Sequence, residues 1–298
     1  MARRAGEVHI KSAIALPHPA AMLEVLLRKR PREDPMCRWI AYRGETIPLE
    51  QYVTAPAHSL VVQSQRALES TAATNGDGFG MGWYGEHPEP GLYREVRPAW
   101  SDENLRYLCR HIQSHLYFAH VRAATGTPIT RPNCHPFACG RWLFMHNGII
   151  GNWARLRRRA EALIPDEFYG SRIGTTDSEA VFLAILGAGG DKDPLGATAR
   201  VLTSLTEMVS SKGYREPLRF TAALANGRDL YAFRYAANDE ANSLYYRESG
   251  DNVVIVSEPL DTNRAHWKEV PPGHAIVARE GERLTLEPFL AEQRVAAE

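Results

Sequence analysis

The 298-residue sequence predicts an α+β chain in which helices lie outside two largely antiparallel sheets. Short apolar runs bounded by glycine and turn residues begin at Arg38. Helical spacing then governs much of the stretch between 152 and 210, and short strands return from residue 220 onward. The length exceeds one average domain but suits a single large sandwich with a sizeable core.

Taken in order, residues 1–35 read as an appendage. A short helix fits 20–30, but Pro17, Pro19, Pro31 and Pro35 break the segment and leave it few apolar residues to bury. Residues 38–42 form a buried first strand that ends in the turn signal Arg43-Gly44. The glycines at 76, 78, 80 and 82 suit close backbone packing and lead into an aromatic strand; no Lys-Ser/Thr follows them, so this is no phosphate loop. A helix opens at 101–103 and runs to about 114, with Leu105, Leu108, Cys109 and Ile112 on one face, and Cys109 reads as core. Strands follow at 115–121 and 141–145, the second ended by Asn147-Gly148. Asn152 caps a further helix. Thr176 and Glu179 have capping-box spacing ahead of the apolar run 180–186. One more helix covers 196–210, and strands close the chain at 220–225, 230–235, 243–246, 253–256 and 275–278.

Charge narrows the function classes. Lys and Arg balance Asp and Glu at 35 each, and neither sign collects into a block that could track a nucleic-acid backbone. Nucleic acid is therefore not an expected partner. Residues 1–35 hold seven Lys/Arg against four Asp/Glu, so the prefix is basic and the body mildly acidic. No apolar run approaches the roughly 20 residues of a membrane span, and the start lacks a secretory h-region, which points to a cytoplasmic protein. The cysteines at 37, 109, 134 and 139 include no pair with two-residue spacing. Cys134-His135 with Cys139 and His146 can be drawn as a metal site, but such spacing arises often by chance. No metal and no cofactor is expected.

Met36-Cys37 looks like a second beginning inside the chain. A cysteine directly after methionine can become the first residue of a mature protein. The expected division is a leader or misassigned start at 1–36 and one catalytic domain at 37–298.

Four features assemble into one reaction: Cys37, His120-Val121-Arg122, His146-Asn147-Gly148 and Thr175-Thr176-Asp177. In this order they resemble the class II glutamine amidotransferases, whose N-terminal cysteine attacks the side-chain amide of glutamine. The resemblance runs from Met36 to about Ala278 and is most specific in the runs at 119–125, 133–137 and 146–152. Ser257-Glu258-Pro259-Leu260 followed by Trp267 resembles the tail of the compact, stand-alone branch, which includes glutathione-degradation and ergothioneine-pathway subunits. Two departures are visible: Gly126 stands where some relatives have His, and Cys134 where the branch often has Thr. Both bear on pocket shape rather than on a catalytic group. The resemblance implies a four-layer αββα sandwich of the N-terminal-nucleophile hydrolase type.

The chemistry also stands on physical grounds. An amide carbon is a poor electrophile and needs a strong nucleophile, a proton acceptor and donors for the oxyanion. A terminal Cys37 would bring its own base, an α-amine of pKa about 8 beside a thiol of about 8.5. An internal Cys37 offers only an amide nitrogen. Following the resemblance, the Asn147 side chain and the Gly148 N–H form the oxyanion hole. Arg122 suits the substrate α-carboxylate because its planar fork binds both oxygens, Thr125 adds a hydrogen bond, and Asp177 suits the α-ammonium. Bland roles compete: a hairpin turn at Asn147-Gly148, a structural ion pair at Arg122, and a helix-start charge at Asp177. His111, His115 and His120 are expected to pack or cap rather than catalyse.

The leading expectation is glutamine hydrolysis through a Cys37 γ-glutamyl thioester, with ammonia passed to a separate synthase subunit or other acceptor protein. A second keeps the cysteine but replaces glutamine with another γ-glutamyl amide. A third, of a different class, is a catalytically silent glutamine-binding subunit in which a retained prefix acylates the Cys37 nitrogen.

Overall fold

A computed structural model describes residues 36–69, 74–124, 126–213, 216–238 and 240–290. The basic prefix, with its expected helix, and Thr125 lie outside the described residues. No helix among the described residues is long and apolar enough to cross a membrane.

Two antiparallel sheets make up the body, as expected. In the seven-stranded sheet β1 (Arg38–Pro48) lies between β4 (Gln113–Val121) and β10 (Asn252–Val256). β2 (Phe79–Trp83) and β3 (Gly91–Glu95) extend it beyond β4, while β9 (Tyr245–Ser249) and β11 (Lys268–Glu269) extend it beyond β10. The six-stranded sheet contains β5 (Phe137–Cys139), β6 (Trp142–Ile149), β7 (Arg219–Ala225), β8 (Leu230–Ala236), β12 (His274–Ala278) and β13 (Thr285–Pro288), in the order β13-β12-β8-β7-β6-β5.

Strand alternation explains the layering. Trp39 and Ala41 of β1 face the second sheet, where they pack with Phe118, Leu143, Met145, Ala223 and Ala232. Ile40 and Tyr42 point the other way, into a layer with Leu60 of α2 (Leu60–Gln65) and Leu105 and Cys109 of α3 (Glu103–His111), which follow α1 (Glu50–Val53). Both faces of β1 are thus buried. The outer face of the second sheet supplies Phe144, Phe220 and Phe233 to a third layer, closed by α6 (Asp177–Ile185) and α7 (Pro194–Ser210). Between β6 and α6 come α4 (Trp153–Glu161) and α5 (Asp166–Tyr169). The order is helix, sheet, sheet, helix, the expected four-layer sandwich. In α6 every residue from Ser178 to Ile185 is buried, as expected of a helix between a sheet and a second helix.

Three local expectations give way. Asn147-Gly148 is no hairpin turn: β6 runs through both to Ile149, because pairing with β7 continues to Ile149 opposite Arg219. The helix near 103 stops at His111, and residues 113–114 join β4. Asn152 precedes α4 but makes no side-chain cap bond; it takes the left-handed conformation (φ 56°, ψ 34°) that asparagine tolerates better than most residues.

Phe144 and Phe182 stack with ring centroids 5.2 Å apart and planes 1° apart, and both are fully buried. Phe144→Ala is expected to lower unfolding free energy by about 3–5 kcal/mol, read from the urea midpoint, because the cavity lies between a paired strand and a buried helix that have little room to collapse.

Candidate active site

Cys37 immediately precedes β1, and its surroundings come from distant parts of the chain. The thiol Sγ accepts a hydrogen bond from the Ala123 N–H at 3.4 Å and lies 3.6 Å from the Ala123 carbonyl oxygen. Burial pushes the thiol pKa up, the Ala123 N–H and the Arg122 and Arg38 guanidinium groups pull it down, and the Asp77 carboxylate pushes it up. The net direction is upward, so the thiol needs a base to become a nucleophile.

The segment after β4 is held by the glycine-rich stretch. Asp77 N–H donates to the Arg122 carbonyl (3.0 Å), Arg122 N–H to the Gly78 carbonyl (2.8 Å), and Ala124 N–H to Asp77 Oδ2 (2.8 Å). Gly78 is required here: its φ is 109°, and a Cβ would meet Cys134 Sγ at 2.6 Å and the Glu95 carbonyl at 2.8 Å. Cys134, a departure from the family pattern, therefore fills space beneath this turn. Asn133 extends the brace, donating to the Pro128 carbonyl (2.9 Å) and accepting from Thr175 N–H (2.8 Å).

Arg122 is 3% exposed. Its guanidinium donates to Thr127 Oγ1 (2.5 Å) and to the Pro128 carbonyl (3.3 Å), and it forms no ion pair with a carboxylate among the described residues. The structural ion pair weighed from the sequence is thus absent there. A buried cation with only neutral partners is costly unless an anion completes it.

Asn147 faces the space between the sheets, on the same side of β6 as Leu143 and Met145. Its main-chain carbonyl accepts from Asn242 Nδ2 (3.1 Å), whereas its own Nδ2 is buried and has no partner among the described residues. Gly148 cannot carry a side chain, since a Cβ would strike the Arg219 carbonyl and His146 Nε2. Asp177 Oδ2 accepts from Ile150 N–H (2.9 Å) and Oδ1 from Ser178 N–H (2.8 Å), which ties the end of β6 to the start of α6. The box at 176–179 is half formed. Thr176 accepts from Glu179 N–H (3.2 Å), but the Glu179 carboxylate goes to Arg172 and to the N–H groups of Ile173 and Gly174.

The histidines serve packing. His146 lies against Phe220 with ring centroids 5.0 Å apart and planes tilted by 32°, its Nδ1 2.9 Å from Ser178 Oγ and its Nε2 3.1 Å from the Arg219 carbonyl. His120 and His135 lie ring to ring at 4.3 Å, and none of their four ring nitrogens has a partner among the described residues.

Reading the sequence missed a second group of residues beside Cys37. Arg38, fully buried, donates from Nε to Glu258 Oε2 and from Nη1 to the Cys37 carbonyl, both at 3.0 Å. Burial alone would raise the Glu258 pKa, but His58, the Leu68 N–H, Arg38 and the Glu69 N–H outweigh it and hold it down to about 2. Two signals pointed here: Arg38 directly follows Cys37, and Ser257-Glu258-Pro259 belongs to the tail that carried part of the resemblance.

Known proteins resemble this chain over most of its length. The model of the family "Glutamine amidotransferases class-II" matches residues 51–247. A probable glutamine amidotransferase of Saccharomyces cerevisiae is 30% identical over 305 residues, covering 86% of this chain and 85% of that protein. The gamma-glutamyl-hercynylcysteine sulfoxide hydrolase of Mycolicibacterium smegmatis is 29% identical over 248 residues, covering 82% of this chain and 96% of that one. Among solved structures, a glutamine aminotransferase class-II domain protein from Silicibacter pomeroyi superposes with a TM-score of 0.68 at 38% identity, covering 85% of this chain and 99% of that one.

Burial lowers the pKa of all three inter-layer histidines, that of His120 to about 3. Each is therefore neutral in the fold, while the unfolded chain takes up protons below about pH 6.5. Their contribution to stability is complete above that pH and is lost as pH falls below about 6.5, for His120 through about 3. The urea midpoint should drop between pH 7.5 and pH 5, and His120→Gln should flatten that slope; a midpoint constant across the interval would contradict the burial of neutral rings.

Proposed function

This chain belongs to the class II glutamine amidotransferases and is a hydrolytic enzyme of that type; from this premise we propose that it cleaves γ-glutamyl amides through a thioester on Cys37. The observation that carries the reading is Arg122, a buried guanidinium that no carboxylate among the described residues pairs, set one residue from the main chain that touches the nucleophile. A substrate α-carboxylate supplies the missing anion. Asp177 receives the α-ammonium at the start of α6, and Thr125 contributes a hydrogen bond.

In this reading residues 1–36 are removed or never made, so that Cys37 begins the working protein. Translation from Met36 followed by methionine removal is the simplest route. The liberated α-amine takes the proton of the thiol as sulfur attacks the γ-carbonyl carbon. Charge that develops on the carbonyl oxygen is met by Asn147 Nδ2, a buried donor otherwise without a partner among the described residues, and by the Gly148 N–H. The ammonium formed on Cys37 then protonates the leaving amine, the C–N bond breaks, and a γ-glutamyl thioester remains. Water, deprotonated by the same amine, attacks the thioester carbon and releases glutamate and the thiol.

Among substrates, the relatives favour a γ-glutamyl amide larger than glutamine over glutamine itself, the reverse of the order expected from sequence. The Mycolicibacterium smegmatis relative is named as a hydrolase of a γ-glutamyl compound, and it matches this chain across nearly its whole length. A γ-glutamyl group presents the same carboxylate and ammonium whatever amine lies beyond the scissile bond. Specificity then resides on the leaving-group side of the pocket.

Amine release from γ-glutamyl amides and ammonia release from glutamine, measured side by side, should favour the former in kcat/KM; a preference for glutamine would restore the simpler substrate. Cys37→Ala should abolish turnover with the fold intact, and Asn147→Ala should lower kcat by roughly 10²–10³. Intact-mass analysis of active protein should find Cys37 first; full activity in a chain still beginning at Met1 would overturn the mechanism.

A further inference from the structure

Arg38 and Glu258 form the most completely buried ion pair among those described, with both side chains 0% exposed. Their place explains neither core packing nor substrate binding as described above. Arg38 spends Nε on Glu258 Oε2 and Nη1 on the carbonyl of Cys37, and its Nη2 is buried without a partner among the described residues. Glu258 is saturated from the other side: Oε1 accepts from Leu68 N–H (2.8 Å) and lies 2.5 Å from His58 Nε2, while Oε2 also accepts from Glu69 N–H (3.0 Å). Neighbouring bonds lock the same joint, since Trp39 N–H donates to Ser257 Oγ (2.9 Å) and Ser257 N–H to the Trp39 carbonyl (3.1 Å).

The result is a nucleophile gripped at two points. The Ala123 N–H holds the sulfur, and Arg38 holds the carbonyl of the same residue. Arg38 also brings positive charge to a residue whose nitrogen must be neutral to act as a base. Around Cys37 the charged and titratable groups are Arg38 from β1, Arg122 from the segment after β4, Asp77 from the glycine-rich stretch, Cys134 below it, and Glu258 with His58 behind Arg38. Arg38 and Arg122 act on the Cys37 thiol as cations, against Asp77. A cation that favours thiolate also disfavours an ammonium at the same residue.

We propose that Arg38, anchored by Glu258, is the positioning residue that sets the main chain of Cys37 and keeps its liberated α-amine in the neutral, proton-accepting form. The inference rests on the proposed role of Cys37 as first residue and adds to it a reason for arginine at the second position. Lysine there would keep the charge but lose the fork that bonds Glu258 and the Cys37 carbonyl together.

The test uses protein whose first residue is shown by intact mass to be Cys37, with kcat/KM for a γ-glutamyl amide measured from pH 5 to pH 10. The acid limb of that profile reports the free enzyme's base. Arg38→Gln should move the limb to higher pH by about one pH unit and lower the plateau about tenfold. Arg38→Lys should lower the plateau while leaving the limb near its original position. If Arg38→Gln does not fold, Glu258→Gln decides, because it keeps the cation and removes the opposing charge, and should move the limb to lower pH. An unmoved limb in the folded variant overturns the inference. Failure of the underlying reading looks different: activity in Cys37→Ala, or in protein retaining its prefix, whatever the position of the limb.

Discussion

Everything at this site depends on β1 being buried on both faces. A strand that gives Trp39 and Ala41 to one apolar layer and Ile40 and Tyr42 to another cannot slide by one residue without exchanging the two sets. Its register is therefore fixed by its full cross-section, and so is the residue just before it. Cys37 needs no loop of its own to hold it in place; it is the point at which a rigid strand leaves the core. The same holds for β6, whose continued pairing with β7 carries Asn147 and Gly148 as far as Ile149.

Charge is distributed in a way that follows from this. The layers between and outside the sheets leave no room for unpaired ions, so buried charge gathers at the strand ends and is compensated there. Glu258 is compensated by Arg38, His58 and two main-chain N–H groups. Glu179 is compensated by Arg172 and two more. Arg122 breaks the pattern, with hydroxyl and carbonyl oxygens for company. Among the described residues the other buried carboxylates are matched by cations, and this mismatch is what supports the proposed role of Arg122.

The layered fold was legible in the sequence because its strands and helices alternate at clear periods, and the apolar run after Thr176 became α6, as expected. Asn147-Gly148 was legible as a motif but misleading as local structure. The dipeptide favours a turn in isolation, and only pairing with a strand some seventy residues away overrides it. The helix at 103 was drawn too long for a related reason, since residues 113–114 are claimed by β1. The candidate residues Cys37, Arg122, Asn147, Gly148 and Asp177 were found through motif order rather than through any property of each alone. Arg38 and Glu258 were not assigned although each lies in or beside a singled-out run, because neither run by itself tells that the two side chains pair. Their pairing exists only once β1 and β10 are side by side.

That pairing has a consequence for the order of synthesis. The contact between Arg38 and Glu258 spans 220 residues of sequence, so a ribosome must finish almost the whole domain before the strand bearing the nucleophile has its anchor. Until then β1 lacks β10, and the carbonyl of Cys37 lacks the arrangement that fixes it. A nascent or truncated chain that ends before Glu258 carries Cys37 without this support.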